Sequence, residues 1–365
     1  MQLTSLPTLI FFAIATIGLT LFLTIFWHRL HKPGFANHLG RFLILLLCQV
    51  LAMATIGIQV NRANGFYESW NDLFGTSSGY TQGIAASNLI SPLAKADLKN
   101  AEHPSAHSTL ISEVITGASS QVTSLVELDI PNSAVTEMLS AHTLNPHKYR
   151  FAEFLTGFPS QPKMWFEVLR IDSEISRYNA LHPDNQVIGV FPEINIAGHM
   201  DLECMNFPNG GPQTETWLST DIHDYVAHRF AVKDSSWGIM GVSTGGWCSS
   251  MLMTRHPNLY AAAVSIAGYY RPALPLTDSK ELQSAMRKKY DFTASEKQLT
   301  AVKPMYLTAS LGDRYSIRET KKFLAHHYSH LHIEYKQLKS GGHNSRVWVS
   351  LIPAAFDWLQ RNIAV

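Results

Sequence analysis

Charge is scarce in this sequence. Only 16 % of its 365 residues are Asp, Glu, Lys or Arg, against about 25 % in ordinary soluble domains, while the hydrophobic share of 46 % is normal. Such a deficit points to a segment that leaves water, and the apolar content excludes intrinsic disorder. Lys and Arg number 29 against 28 Asp and Glu, a net charge of +1. No Lys/Arg-rich block is present to neutralise a row of phosphates, which argues against nucleic acid as a partner. Cysteine is scarcer still: three residues cannot build a disulfide scaffold or a four-thiolate zinc site. Internal repeats and low-complexity blocks are also missing, and the length suits about two units of ~150 residues or one larger α/β domain with an appendage.

Long apolar runs are present, and both lie at the start. Residues 6–27, LPTLIFFAIATIGLTLFLTIFW, carry no charge and are long enough to cross ~30 Å of hydrocarbon. A second run over 42–60 contains only Gln49, Thr55 and Gln59 as clearly polar members, groups that a span tolerates against a neighbouring helix or near its end. The sequence therefore predicts a two-helix membrane anchor over 1–60. The alternative for the first run is a cleaved signal peptide, which it resembles poorly, having no basic leading region and no small-residue cleavage site. Arg29, Lys32 and Arg41 lie between the runs, so the positive-inside rule puts that turn in the cytoplasm and everything after Val60 outside it. An oxidising location would let Cys204 and Cys248 pair, leaving Cys48 in the second span; two unrelated buried thiols is the reading that stands beside it.

Residues 61–119 read as a juxtamembrane linker and leading segment, whose aromatics Phe66, Tyr67, Trp70 and Phe74 suit a membrane interface. From about Ser120 to the end, β-rich runs alternate with amphipathic stretches. The runs are VTSLVELDI, YRFAEFLT, QVIGVFPEI, SWGIMGVS, AAAVSIAG, KPMYLTASL and HIEYKQL; the stretches are 164–179, 217–230, 247–256 and 316–327. That alternation predicts an α/β domain over 120–365 with a mainly parallel sheet and helices on both faces. Reactive groups in such sheets gather beyond the carboxyl ends of the strands.

The chemistry-bearing segment is Gly241-Val242-Ser243-Thr244-Gly245, set between a buried strand and a helix. G-x-S-x-G in that setting presents a serine hydroxyl on a tight turn above the sheet. A nucleophilic serine needs a base, and the base needs an orienting carboxylate. Downstream, KPMYLTASL ends at Gly312-Asp313-Arg314, and HIEYKQL is followed by Ser340-Gly341-Gly342-His343. The order Ser243, Asp313, His343 is that of α/β-hydrolases, with Glu319 as the reserve acid. Asp313 has a purely structural alternative as a helix N-cap, and His343 one as a loop histidine. The amides of Thr244 and of Phe158, in the turn Thr156-Gly157-Phe158-Pro159-Ser160, are the candidate oxyanion donors; for Phe158 an ordinary turn is the alternative. His199, Asp201 and Glu203 alternate in one segment and His326, His327, His330 and His332 crowd another. Neither has a recognised ligand spacing, so no metal and no cofactor is expected, while Asp201 is a candidate pocket residue. Trp247 and Tyr315 suggest an apolar acyl pocket.

With these residues in view, the sequence from roughly Ser120 to its end resembles the putative-esterase group of α/β-hydrolases, which includes esterase D and the antigen 85 mycolyltransferases. The resemblance is carried by GVSTGGWC around Ser243, GFPSQP from Gly157, DLECMNFPNGGPQTETWLSTDI from Asp201, and GGHNSRVWVSLIP around His343. The last three look like a membrane-anchored subgroup with an outer esterase-like domain. In that subgroup Cys204 and Cys248 match paired cysteines. The resemblance implies an extracytoplasmic carboxylic-ester hydrolase, or an acyltransferase moving an acyl group from an acyl-lipid to a cell-envelope carbohydrate. Thr156-Gly157 replaces the group's usual His-Gly, and antigen 85-type enzymes use Glu where Asp313 is chosen here. A non-catalytic envelope scaffold that keeps the fold is the rival from another class.

Overall fold

The structure is a computed structural model that describes residues 5–27, 35–64, 70, 92–105, 107–197, 200–232, 237–274 and 279–363. The chain divides into two compact units, Met1–Ser77 and Ser78–Val365. Three of the four linker aromatics, Phe66, Tyr67 and Phe74, lie outside the described residues.

The first unit is a pair of helices, α1 (Leu6–Phe26) and α2 (Phe35–Asn64). Ser5 caps α1 by accepting from the Thr8 N–H at 3.3 Å. Both helices are long and apolar enough to cross a membrane, with mean hydropathies of 2.5 for Leu6–Phe26 and 2.3 for Asn37–Arg62. The side chains of Thr16, Thr20 and Thr24 return to the carbonyls of Phe12, Thr16 and Thr20 at 2.8–2.9 Å, which satisfies them without water. Thr16 Oγ1 meets Thr55 Oγ1, and Thr20 Oγ1 meets Cys48 Sγ, each at 3.2 Å. Among the described residues, most of the exposed large hydrophobic side chains lie on these two helices.

The second unit is built on a nine-stranded sheet of order β1-β2-β3-β5-β4-β6-β7-β8-β9. The strands are β1 (Glu102–Ser105), β2 (Ser108–Thr116), β3 (Thr123–Pro131), β4 (Tyr149–Leu155), β5 (Gln186–Pro192), β6 (Trp237–Val242), β7 (Tyr260–Ile266), β8 (Lys303–Ser310) and β9 (Leu331–Leu338). Strands β4 to β9 are mutually parallel, and β1 to β3 add an antiparallel flank. The predicted α/β class is found, and all seven predicted runs are strands. Two further strands, β1 and β2, fall inside the stretch read as linker and leading segment. Strand β2 pairs with β3 along its whole length, Ser108 opposite Pro131 and Thr116 opposite Thr123. Asp221 locks their hairpin by accepting from the Ser119 and Ser120 N–H groups at 2.8 and 2.9 Å.

Helices cover both faces, giving two apolar layers. The predicted helix over 164–179 is two pieces, Met164–Glu167 and α3 (Ile171–Leu181), because Arg170 adopts a left-handed conformation between them, with φ 57°. The stretch 217–230 opens with a wide turn, Trp217–Asp221, before α4 (Ile222–Phe230). Helix α5 (Thr244–Arg255) begins directly after Ser243, α6 (Arg314–Leu324) directly after Asp313, and α7 (Ile352–Asn362) closes the chain.

The core holds carboxyls without countercharges. Burial pushes Glu153, on β4, up to about 8, against the opposing effect of the Tyr260 hydroxyl that donates to it at 2.7 Å. His223, whose Nε2 is 3.1 Å from the same hydroxyl, is pushed down to about 3 by burial and then by His256. Both are uncharged at neutral pH, so their 3.8 Å approach is a contact of neutral groups rather than an ion pair. Because the folded pKa of Glu153 lies above its unfolded value, its contribution is fully present below the unfolded pKa and is lost as pH rises towards about 8. Glu153→Gln is therefore expected to gain stability relative to wild type as pH rises, by at most about 1.4 kcal/mol per pH unit. Denaturant melts across pH check this, and a constant difference between the two proteins would overturn it.

Candidate active site

Six adjacent parallel strands deliver the site, each supplying a residue just beyond its carboxyl end: Gly157 and Phe158 after β4, Asn195 after β5, Ser243 after β6, Tyr269 after β7, Asp313 after β8 and His343 after β9. The Ser243 turn is tight. Its backbone sits at φ 56°, ψ −120°, a conformation costly for a residue with a Cβ. The Ser243 N–H is held by the Ile266 carbonyl at 2.9 Å. Glycine is required on both sides: a Cβ on Gly241 would lie 1.9 Å from the Gly245 carbonyl oxygen, and one on Gly245 would lie 2.1 Å from that of Leu155.

Ser243 Oγ lies 2.8 Å from His343 Nε2, and His343 Nδ1 lies 2.6 Å from Asp313 Oδ2. His343 is held edge-on to Trp348, ring centroids 5.0 Å apart. Asp313 is nearly fully buried, and its second oxygen accepts from the Ser316 N–H at 3.1 Å. It is thus a helix N-cap and a histidine partner at once. The loops that carry Asp313 and His343 are joined by Ser310 Oγ, which donates to the Gly341 carbonyl at 2.6 Å. Glu319 is occupied elsewhere, within 3.0–3.1 Å of Arg271, Arg318 and Lys322. Burial works to raise its pKa, but these cations outweigh it and hold the carboxyl below its usual value.

Beside Ser243, the turn after β4 approaches so closely that a Cβ on Gly157 would lie 3.0 Å from Ser243 Cβ. The N–H groups of Phe158 and Thr244 make no hydrogen bond among the described residues. Two side chains brace this turn: Thr156 Oγ1 donates to the Ser160 carbonyl at 3.1 Å, and Asn195 Nδ2 reaches the carbonyls of Ser160 and Gly157 at 2.5 and 3.3 Å. Asn195 was not singled out by the sequence, where it is one polar residue in a loop after a strand.

The segment after β5 packs behind the turn. Cys204 and Cys248 form a disulfide with a Cα–Cα distance of 5.7 Å, which ties this segment to α5; Cys48 is free. Asp201 Oδ2 accepts from Thr244 Oγ1 at 2.8 Å, and Glu203 Oε1 is hydrogen-bonded to Tyr269 Oη at 2.8 Å. His199 lies outside the described residues, and no cluster of three metal-ligating side chains occurs among the described ones. Of the other histidines, His326 bonds the Lys322 carbonyl and His330 faces Glu296. Trp247 does not line a pocket: it is fully buried, stacks on Tyr269 and donates to the Glu203 carbonyl at 3.1 Å. Tyr315 is exposed.

Residues 154–359 match a protein-family model described as "Putative esterase". An uncharacterized protein of Corynebacterium glutamicum is 23 % identical over 228 residues, or 57 % of this chain and 51 % of that protein. The chain thus spans about half the length of the curated relative it matches. Among solved structures, it is similar to a ferulic acid esterase, at 17 % identity over 70 % of this chain and 98 % of that one, with a TM-score of 0.56. An S-formylglutathione hydrolase from Agrobacterium tumefaciens shows 10 % identity over 73 % of this chain and 100 % of its own, TM-score 0.55. A fluorophosphonate-binding serine hydrolase of Staphylococcus aureus shows 17 % identity over 70 % and 99 %, TM-score 0.53. At these identities the structural likeness concerns the fold.

The Cys204–Cys248 bridge closes a loop of 44 residues, for which the chain-entropy account gives up to about 4 kcal/mol. Reduction is expected to lower the melting temperature of the second unit, and thiol titration of the denatured, unreduced protein to find Cys48 alone. Three free thiols would remove the bridge.

Proposed function

This chain belongs to the putative-esterase family, and from that premise we propose that it is a membrane-anchored serine esterase in which Ser243 attacks a carboxylic ester. The observation that carries this reading is the line Ser243 Oγ, His343 Nε2, Asp313 Oδ2, with spacings of 2.8 and 2.6 Å. His343 takes the serine proton as Oγ bonds to the ester carbon, and returns it to the leaving alcohol. The charged imidazole is stabilised by Asp313, which also holds the tautomer with its proton on Nδ1. Thr244 and Phe158 donate their amides to the oxyanion, where losing one donor costs ~3 kcal/mol in comparable sites. Water then releases the acyl group by the same steps in reverse. A carbohydrate hydroxyl can replace water at that last step, so hydrolysis and transfer differ only in the acceptor.

The anchor is α1 and α2. Arg29 and Lys32 between them and Arg41 near the start of α2 support a cytoplasmic turn by the positive-inside rule, and the Cys204–Cys248 pair suits an oxidising compartment. On this reading the catalytic unit faces outward from the cell membrane.

The test uses the full-length protein in detergent. Fluorophosphonate labelling and p-nitrophenyl ester turnover are expected to vanish in Ser243→Ala. Asp313→Asn, which leaves His343 the wrong tautomer, is expected to lower kcat by about 10⁴. Glu319→Gln is expected to stay within a few-fold of wild type. Unchanged turnover in Ser243→Ala would remove the central assignment, and the opposite ranking of the two acid variants would move the acid to Glu319. Release of free acid against transfer to an added disaccharide separates esterase from acyltransferase, and a folded protein with neither labelling nor turnover would point to the scaffold.

A further inference from the structure

Behind Thr244, four side chains form a line of hydrogen bonds that the acyl-transfer steps above do not use. Tyr269 Oη is 2.8 Å from Glu203 Oε1 and 3.2 Å from Thr244 Oγ1, and Thr244 Oγ1 is 2.8 Å from Asp201 Oδ2. The Glu203 N–H also donates to Asp201, at Oδ1, over 2.9 Å. Glu203, Thr244 and Tyr269 are buried. Glu203 and Cys204 both sit at φ 54°, so the loop holds its carboxyl inward at a conformational cost. The disulfide at Cys204 fastens the same loop to α5.

Counting protons gives this line a direction. Both oxygens of Asp201 accept, and Thr244 spends its only hydroxyl proton there; burial raises this carboxyl too, but the Glu203 N–H and the Thr244 hydroxyl both favour its charged form. Tyr269 has one proton and two acceptors within reach. An ionised Glu203 would take that proton, leave the Thr244 hydroxyl with no incoming donor, and bury a second negative charge beside Asp201. A protonated Glu203 instead donates to Tyr269, Tyr269 to Thr244, and Thr244 to Asp201. The Tyr269 and Thr244 hydroxyls then each give one bond and receive one, with a single charge at the Asp201 end. No salt bridge reaches either carboxyl among the described residues. The titratable groups facing Glu203 are Asp201 from its own loop, Tyr269 from the segment after β7 and Tyr315 from α6; the Ala273 backbone favours the ionised form. Burial first, and then Asp201, drive Glu203 well above the usual carboxylate range.

We propose that Glu203, Tyr269, Thr244 and Asp201 act as a positioning chain, in which one proton held on Glu203 aligns three hydrogen bonds and fixes Thr244, the residue whose amide receives the oxyanion. The inference rests on the Ser243 reading of the preceding section. Its consequence is a second, alkaline control on the reaction, separate from the charge state of His343. When Glu203 loses its proton to solvent, Tyr269 turns to it, Thr244 loses a partner, and negative charge accumulates next to a developing oxyanion. Turnover falls, while substrate binding in the ground state does not.

The experiment measures kcat and KM for p-nitrophenyl acetate from acidic to alkaline pH in the full-length protein, with a thermal melt for each variant. Tyr269→Phe, which removes one oxygen and keeps the ring, is expected to lower kcat about tenfold or more, a barrier change of ~1.4 kcal/mol, with KM within about twofold. Glu203→Ala is expected to lose at least as much. Glu203→Gln, whose amide donates to Tyr269 but cannot ionise, is expected to recover most of that loss and to lack the alkaline fall in kcat. Wild-type kcat in Tyr269→Phe would overturn the proposal, as would an alkaline limb that persists in Glu203→Gln or a Glu203→Gln as impaired as Glu203→Ala. Turnover that survives Ser243→Ala would instead overturn the nucleophile reading and this inference with it.

Discussion

The turn at Ser243 is the constraint around which the second unit is arranged. A residue with a Cβ is held at φ 56° because the strand before it and the helix after it leave no other path. That path exists only where Gly241 and Gly245 let the backbones of β6, α5 and β4 touch. The same closeness brings the end of β4 against the serine, so Gly157 lies beside it in a turn that Thr156 and Asn195 brace. Packing of one strand–helix turn therefore fixes two features of the site at once. The hydrogen bond from the Ser243 N–H to Ile266 O adds a third neighbour, β7, and through it the loop that carries Tyr269.

Much of this arrangement is legible in the sequence where the signal is local. Seven strands show as apolar or alternating runs, and the Gly-x-Ser-x-Gly pattern records the steric need of a single turn within five residues. What the sequence conceals depends on partners far along the chain. Asn195 braces the Gly157 turn across 38 residues, and Tyr269 meets Glu203 across 66. Nothing in the residues flanking either one marks the contact. Strand β2 is hidden for a related reason: its exposed and half-buried Ser, Glu and Thr positions blur the alternation, and its pairing with β3 is what makes it a strand. Arg170 breaks a helix whose apolar spacing runs on through it. Trp247 reads as a pocket aromatic because composition cannot tell which face of α5 it occupies.

Carboxyl groups in this unit divide into two kinds, and the division follows their partners rather than their depth. Glu215 is nearly buried, and burial opposes its charge, yet His256, Arg255 and Tyr290 donate to it and hold it down to about 2. Glu319 is held ionised in the same way by three cations. Glu153, Glu127 and Asp129 form no ion pair with Lys or Arg among the described residues, and burial pushes them up to about 8, 7 and 7, the more distant Lys163 only partly opposing it at Glu127. Two buried acids can thus sit on neighbouring elements in opposite charge states, each set by whether donors with positive charge reach it.

Asp313 and Glu319 differ in their partners, and that difference separates them as candidates to face a histidine. The two lie six residues apart, Asp313 capping α6 and Glu319 within it, but Glu319 bonds Arg271, Arg318 and Lys322. Asp313 stands at the N-terminus of α6, where the Ser316 N–H takes one oxygen and the free end of the helix favours negative charge. Its other oxygen is left for His343 Nδ1. The capping role and the orienting role are therefore not competing explanations of this residue. The cap holds the carboxyl in place without a cation, and on the proposed reading a carboxylate that no arginine already neutralises is the stronger partner for an imidazolium.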